Sequence, residues 1–290
     1  MTVHVRLATY AAVTAALLLV VIKAYAWMIT DSISMLSSLV DSALDALVSL
    51  VNVLAVHYAL VPPDDDHRFG HTSAEDLASL FQALFISGSA IFVGYHAIQR
   101  FFQPVPLSAE MLGMGVMVVS MVLTALLVAY QRYVMRRARS VAIHADSFHY
   151  VSDIAVNGSV IVALLCSKYL NLPQADPAIG LAIALYILVG AGRIGKAAFD
   201  RIMDKEFDEE DRKRVEATIR SIDGVLGMHD LKTRHSGPKA FIQCHVEMDG
   251  ALTLKQAHVL ADRIEARLLE EFPHAEIILH QDPHIPGKKL

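Results

Sequence analysis

Residues 33–60, ISMLSSLVDSALDALVSLVNVLAVHYAL, form an apolar run long enough to cross a bilayer, with Asp41 and Asp45 near its middle. A carboxylate in hydrocarbon costs about 3 kcal/mol or more, so it is tolerated only where it faces a protein interior, a watery cavity or a bound cation. The i, i+4 spacing puts both acids on one helical face. Residues 142–169 repeat the pattern with His149 and Asp153, again four apart in an otherwise apolar segment. Two helices thus supply four convergent donors. A tetrahedral site for a divalent metal takes about four N, O or S ligands at roughly 2 Å, and imidazole with carboxylates suits Zn²⁺, Fe²⁺, Mn²⁺ or Cd²⁺ better than Mg²⁺. The plainer alternative, polar residues that only bond helix to helix, accounts for one buried acid more readily than for two matched pairs.

Working outward, six apolar segments of near-bilayer length follow one another, at 7–28, 33–60, 74–101, 107–134, 142–169 and 177–199. With 54% hydrophobic residues in 290 and a mean hydropathy of +0.43, the chain reads as an α-helical integral membrane protein with six transmembrane helices. Arg6 and the triplet Ala24-Tyr25-Ala26 imitate a signal peptide, but the run from Leu7 to Met28 is long enough to span and is expected to be retained. Lys23 lies close enough to its end to snorkel. Arg132, Arg136, Arg137 and Arg139 follow the fourth segment. Arg193, Lys196, Arg201 and Lys205 close the sixth, whereas the connections around Asp31, Gln103 to Pro106 and Asn171 hold few basic residues. The positive-inside rule then places both termini in the cytoplasm. A net charge of −5 points to no nucleic-acid partner, and two cysteines, Cys166 and Cys244, offer no disulfide framework.

The composition divides the chain into a transport domain at 1–203 and a soluble domain at 204–290. In the latter, Asp208 to Ile222 reads as a helix with an acidic first turn, and Gly227 to His235 and Lys239 to Met248 as strands around Ser236-Gly237-Pro238. Leu254 to Phe272 reads as a second helix after Thr253 as N-cap, and Ala275 to Asp282 as a last strand. The order αββαβ predicts a small α+β domain, with helices on one face of its sheet. Alternation along the second strand assigns Ile242, Cys244, Val246 and Met248 to the core and Gln243, His245 and Glu247 to the other face. His280 and Asp282 share a face by the same period, and imidazole beside carboxylate is what Zn²⁺ prefers.

These motifs together resemble the cation diffusion facilitator family, most closely its bacterial iron/zinc branch, over nearly the whole chain. Asp-x-x-x-Asp in the second span and His-x-x-x-Asp in the fifth match the family's transport site at Asp41, Asp45, His149 and Asp153. The loop pattern Asp-x-x-His-x-Phe-Gly-His matches Asp64, His67, Phe69, Gly70 and His71, which the resemblance implies is a second, cytoplasm-facing metal site. His229, His245, His258, His280 and Asp282 match positions implied to form a binuclear site between paired domains of ferredoxin-like, metallochaperone-like fold. His274 and His284 match no such position. The chain departs from its relatives at Ser73, where a lysine is usual, so the charged interlock that the resemblance implies with Asp204 is without its lysine.

The expected function is a homodimeric secondary transporter in a bacterial inner membrane, exporting Zn²⁺, or Fe²⁺ or Cd²⁺, from the cytoplasm against protons. Membrane lipid, metal ions and protons are then its partners. Ligation needs neutral imidazole and ionised carboxylates, so metal and proton compete for the same atoms, with His149 the expected proton-coupling group. A membrane-anchored metal sensor explains the soluble domain but not the intramembrane quartet, and a divalent cation channel would need no proton gradient. An intramembrane acid-pair hydrolase is disfavoured because acids at i, i+4 are poorly disposed to share a proton, and no His-Glu-x-x-His motif is present.

Overall fold

A computed structural model describes residues 2–30, 33–102, 111–136, 141–170, 175–273 and 275–284. Asp31, Gln103 to Pro106, Arg137, Arg139, Asn171 and His274 lie outside the described residues, as does the side chain of Cys166. The chain forms two compact units, Met1–Phe199 and Asp200–Leu290.

The first unit is built on six long helices: α1 (Thr2–Thr30), α2 (Ile33–Ala59), α3 (Ser73–Phe102), α4 (Met111–Met135), α5 (Val141–Leu170) and α6 (Ala175–Ile202). Among the described residues five of them, α1 to α4 and α6, carry stretches long and apolar enough to cross a membrane. Helix α5 carries His144, Asp146, His149 and Asp153 in its first half. Helix α1 packs along α2 and α4, α3 along α2 and α5, and α4 along α5.

The distribution of side chains is that of a protein solvated by lipid. Leu54, Leu84, Leu126 and Leu185 face outward, while Asn52, Gln82, Gln131 and Asp146 are buried. Small residues let the helices approach: a Cβ on Gly94, Gly180 or Gly195 would come within 3.2–3.5 Å of Ala184, Ala97 or Ala83. Lys23 does not follow the snorkelling expectation. Its ammonium turns to the neighbouring helix and donates to Ser42 Oγ at 2.7 Å and Ser38 O at 3.2 Å.

The second unit carries α7 (Glu209–Arg220), β1 (Gly227–Ser236), β2 (Lys239–Met248), α8 (Leu254–Glu271) and β3 (Glu276–Pro283), in the expected αββαβ order. Asp208 caps α7 by accepting from Asp211 N–H, and Thr253 opens α8 in a capping box with Gln256. The sheet order is β1-β2-β3, with β1 and β2 antiparallel and β2 and β3 parallel. One sheet face, with Ile242, Cys244, Val246 and Met248, is buried against Val215 and Ile219 of α7 and Leu260, Ile264 and Leu268 of α8. Burying that row commits His245 and Glu247 to the opposite, open face.

Candidate metal centres

Helices α2 and α5 place Asp45, His149 and Asp153 so that one ligand atom from each lies within 4.8 Å of the others. His149 Nε2 stands 3.1 Å from Asp45 Oδ1 and 3.8 Å from Asp153 Oδ2. The imidazole is buried, whereas the two carboxylates are 24% and 33% exposed, so the group opens on its acidic side. Donors around a tetrahedral ion at about 2 Å sit roughly 3.3 Å apart, so a cargo ion would draw the three together only slightly. Asp41 is exposed and lies outside this three-residue group, one turn along α2. Four residues rise about 6 Å along a helix, so Asp41 reaches the same point only if its side chain leans toward Asp45.

Beneath His149 lies a group that motif spacing overlooked. Asp146, 2% exposed, accepts from Gln82 Nε2 at 3.3 Å and from Gln131 Nε2 at 2.6 Å. Asn52 Nδ2 donates to Gln82 Oε1 at 3.2 Å and to Ala142 O at 3.4 Å. These bonds tie α2, α3, α4 and α5 together next to His149, as polar groups in a membrane interior must. The signal was available in the sequence: residues 146, 149 and 153 follow one another at helical spacing on α5.

The loop between α2 and α3 brings Asp64, His67 and His71 together. Asp64 Oδ1 accepts from the backbone N–H of His67 at 2.6 Å and Asp66 at 3.1 Å, a turn that aims the carboxylate inward. Its Oδ2 lies 3.2 Å from His71 Nε2, while Oδ1 lies 3.2 Å from His67 Nδ1. The His67 backbone N–H, before the imidazoles, holds the Asp64 carboxyl below the usual carboxylate range. His71 is buried against Tyr58, with ring centroids 4.5 Å apart, and Gly70 makes the turn at φ +88°. One carboxylate and two imidazoles fit a borderline divalent ion.

On the open face of the sheet the register puts His229 opposite His245, and His245 opposite His280, so one imidazole per strand lies in a row. Ring centroids are 5.0 Å and 4.5 Å apart, as expected of neighbouring strands. His229, His245 and Asp282 bring ligand atoms together. Asp282 accepts from or faces His245 Nδ1 at 2.8 Å, His280 Nε2 at 3.2 Å and His229 Nε2 at 3.4 Å. The bond to His245 holds its carboxyl below the usual range. His258 is not brought to this row within one chain. It is exposed on α8, 3.6 Å from Asp262, and the helix layer covers the opposite sheet face. Glu247 and His284 join the row unannounced by any motif, with His284 Nδ1 2.6 Å and His229 Nδ1 3.2 Å from the Glu247 carboxylate. Alternation along β2 had already put Glu247 on this face. The two imidazoles of His229 and His245 with the Asp282 carboxylate suit a borderline divalent ion such as Zn²⁺.

Comparison with known proteins bears on both units. A family model described as the cation efflux transmembrane domain matches residues 9–203, and one described as the cation efflux protein cytoplasmic domain matches residues 207–284. The cation-efflux pump FieF of Serratia proteamaculans is 46% identical over 279 residues, covering 96% of this chain and 93% of that protein. FieF of Escherichia fergusonii is 45% identical over 276 residues, covering 95% and 92%. Among solved structures, the Zn form of CzrB is 31% identical, covering 30% of this chain and 99% of that one, with a TM-score of 0.27.

Proposed function

Because the chain belongs to the cation efflux family and is thus a multi-pass membrane transporter of divalent metals, we propose that it exports Zn²⁺ from the cytoplasm in exchange for protons, with Fe²⁺ or Cd²⁺ as further cargo. The observation that carries this reading is the Asp45, His149 and Asp153 group between two membrane helices. Asp41 completes the set when a cation is bound. Ionised carboxylates and a neutral imidazole hold the metal, and protons reoccupy the same atoms once it has left. Rocking of helices about the group exposes it to either side in turn.

Helix α5 is the sixth span, its polar face turned inward. Arg132, Arg136, Arg193 and Lys196 lie on the cytoplasmic side with both termini, in a bacterial inner membrane. The loop group of Asp64, His67 and His71 receives metal at the cytoplasmic face. Residues 204–290 form a ferredoxin-like domain whose His229, His245, His280 and Asp282, with His258 supplied across the interface, bind Zn²⁺ and join two copies into a homodimer.

The deciding experiment is Zn²⁺ uptake by proteoliposomes with and without an imposed pH gradient. Uptake should accelerate when the lumen is the more acidic side and should alkalinise the lumen, since protons leave it as metal enters. Uptake indifferent to the gradient would identify a channel, and no uptake at all a sensor.

A further inference from the structure

Lys23 has no part in the transport cycle just described, yet it sits where its charge counts. Its Nζ donates to Ser42 Oγ at 2.7 Å and to Ser38 O at 3.2 Å, across the contact of α1 with α2. Ser42 is 2% exposed. Ser38, Ser42 and Asp45 follow one another at i, i+4 and i+7, so the ammonium is tethered to the helical face that carries the transport acids. Asp41 follows Ser38 and Asp45 follows Ser42, each three residues on along α2, so both acids lie within a turn of the serines that hold the ammonium. Its bonded partners are serine oxygens, which leaves carboxylate atoms to cargo.

The charges then close. Asp41, Asp45 and Asp153 together carry −3 when His149 is neutral, as metal ligation requires, and Lys23 brings these ligand-side groups to −2, with the Asp146 carboxyl, bonded to Gln82 and Gln131, counted apart from them. One divalent cation cancels that. A neutral loaded site can change its exposure within a bilayer, whereas a residual charge would resist the step or hold the cation back. We propose that Lys23 is a positioning charge of the transport site: held by Ser38 and Ser42, it sets the site's net charge so that one divalent cation neutralises it and can leave again. This role rests on the transport reading of Asp41, Asp45, His149 and Asp153.

The test is initial-rate Zn²⁺ transport by the full chain in proteoliposomes, with KM and turnover resolved separately. Lys23→Gln removes the charge but keeps a donor for the serines. A unit charge about 10 Å from a divalent ion at an effective dielectric of about 20 is worth at least tenfold in binding. KM should therefore fall at least tenfold, and turnover should fall with it as release slows. Lys23→Arg should keep both close to wild type. Ser42→Ala keeps the charge but frees the ammonium to approach Asp45 and compete with cargo, so its KM should rise. Opposite signs from the two variants cannot come from a loosened helix contact, which would lower turnover in both without lowering KM in either. An unchanged or raised KM in Lys23→Gln overturns the proposal. If that variant does not insert, a KM in Ser42→Ala at or below wild type overturns it equally. Asp45→Ala, run alongside, separates the two levels. Persisting transport there removes the transport reading and this role with it, whereas loss of transport there with wild-type KM in Lys23→Gln removes only the role of Lys23.

Discussion

His149 contributes the nitrogen to a group whose other donors are carboxylate oxygens, and it does so from a nearly sealed position. Exchanging it for Asp should move preference from Zn²⁺ toward harder ions such as Mn²⁺, because carboxylate suits those and imidazole suits zinc. Competition transport of Zn²⁺ against Mn²⁺ in wild type and His149→Asp checks this, and an unchanged preference would remove His149 from the ligand set. Asp45→Ala and Asp153→Ala should each reduce transport to background while the protein still inserts and dimerises, as read by proteoliposome flux and size-exclusion chromatography. In the soluble unit, burial pushes the Cys244 thiol up to about 11. A thiol whose folded value lies above its unfolded one favours the fold fully below the unfolded value and loses that contribution as pH rises through the folded one. That window runs from about 9 to about 11. At pH 8 alkylation of Cys244, followed by peptide mass spectrometry, should be far slower in native than in denatured protein. Equal rates would place the thiol on the surface.

At the scale of elements, helix α5, which carries His149 and Asp153, is held in place by how closely α6 approaches it. A Cβ added at Gly190 would meet the Phe148 ring at 2.0 Å, and Phe148 adjoins His149 in sequence. Gly190→Ala should therefore displace the ring and destabilise the membrane unit by about 1–3 kcal/mol, while lowering transport. A melting temperature and flux equal to wild type would show that the ring has room to move. In α8 the Thr253 and Gln256 capping box satisfies backbone donors at the helix start. Thr253→Ala should cost about 1 kcal/mol in the soluble unit, measured by denaturant titration of that unit's signal, with transport retained.

For the whole molecule, the proposed function has the row of imidazoles on the open sheet face couple metal to assembly. If ions there are shared between two copies, removing zinc with a chelator should lower the dimer fraction in detergent, and restoring it should recover the dimer, because binding only to the assembled form stabilises it by mass action. Light scattering that gives the same mass with and without chelator would detach zinc from assembly. His245→Ala should mimic chelation without altering cargo selectivity.

Period and spacing alone were enough for much of this protein. The i, i+4 pairs at residues 41 and 45 and at 149 and 153, the loop motif at residues 64–71, and the core alternation of β2 are local properties, since one helical turn or one pleat sets which side chains share a face. What remained hidden depends on contacts between residues far apart in the chain. Only packing shows that Asp45, His149 and Asp153 draw together while Asp41 stands aside, that Asp146 is held by amides from two other helices, and that Lys23 turns to Ser42 rather than to the interface. Only register sets His229, His245 and His280 in one row and leaves His258 behind the sheet. A sequence period fixes direction around a helix or strand but says nothing of which neighbour lies in that direction, and that choice belongs to the tertiary fold.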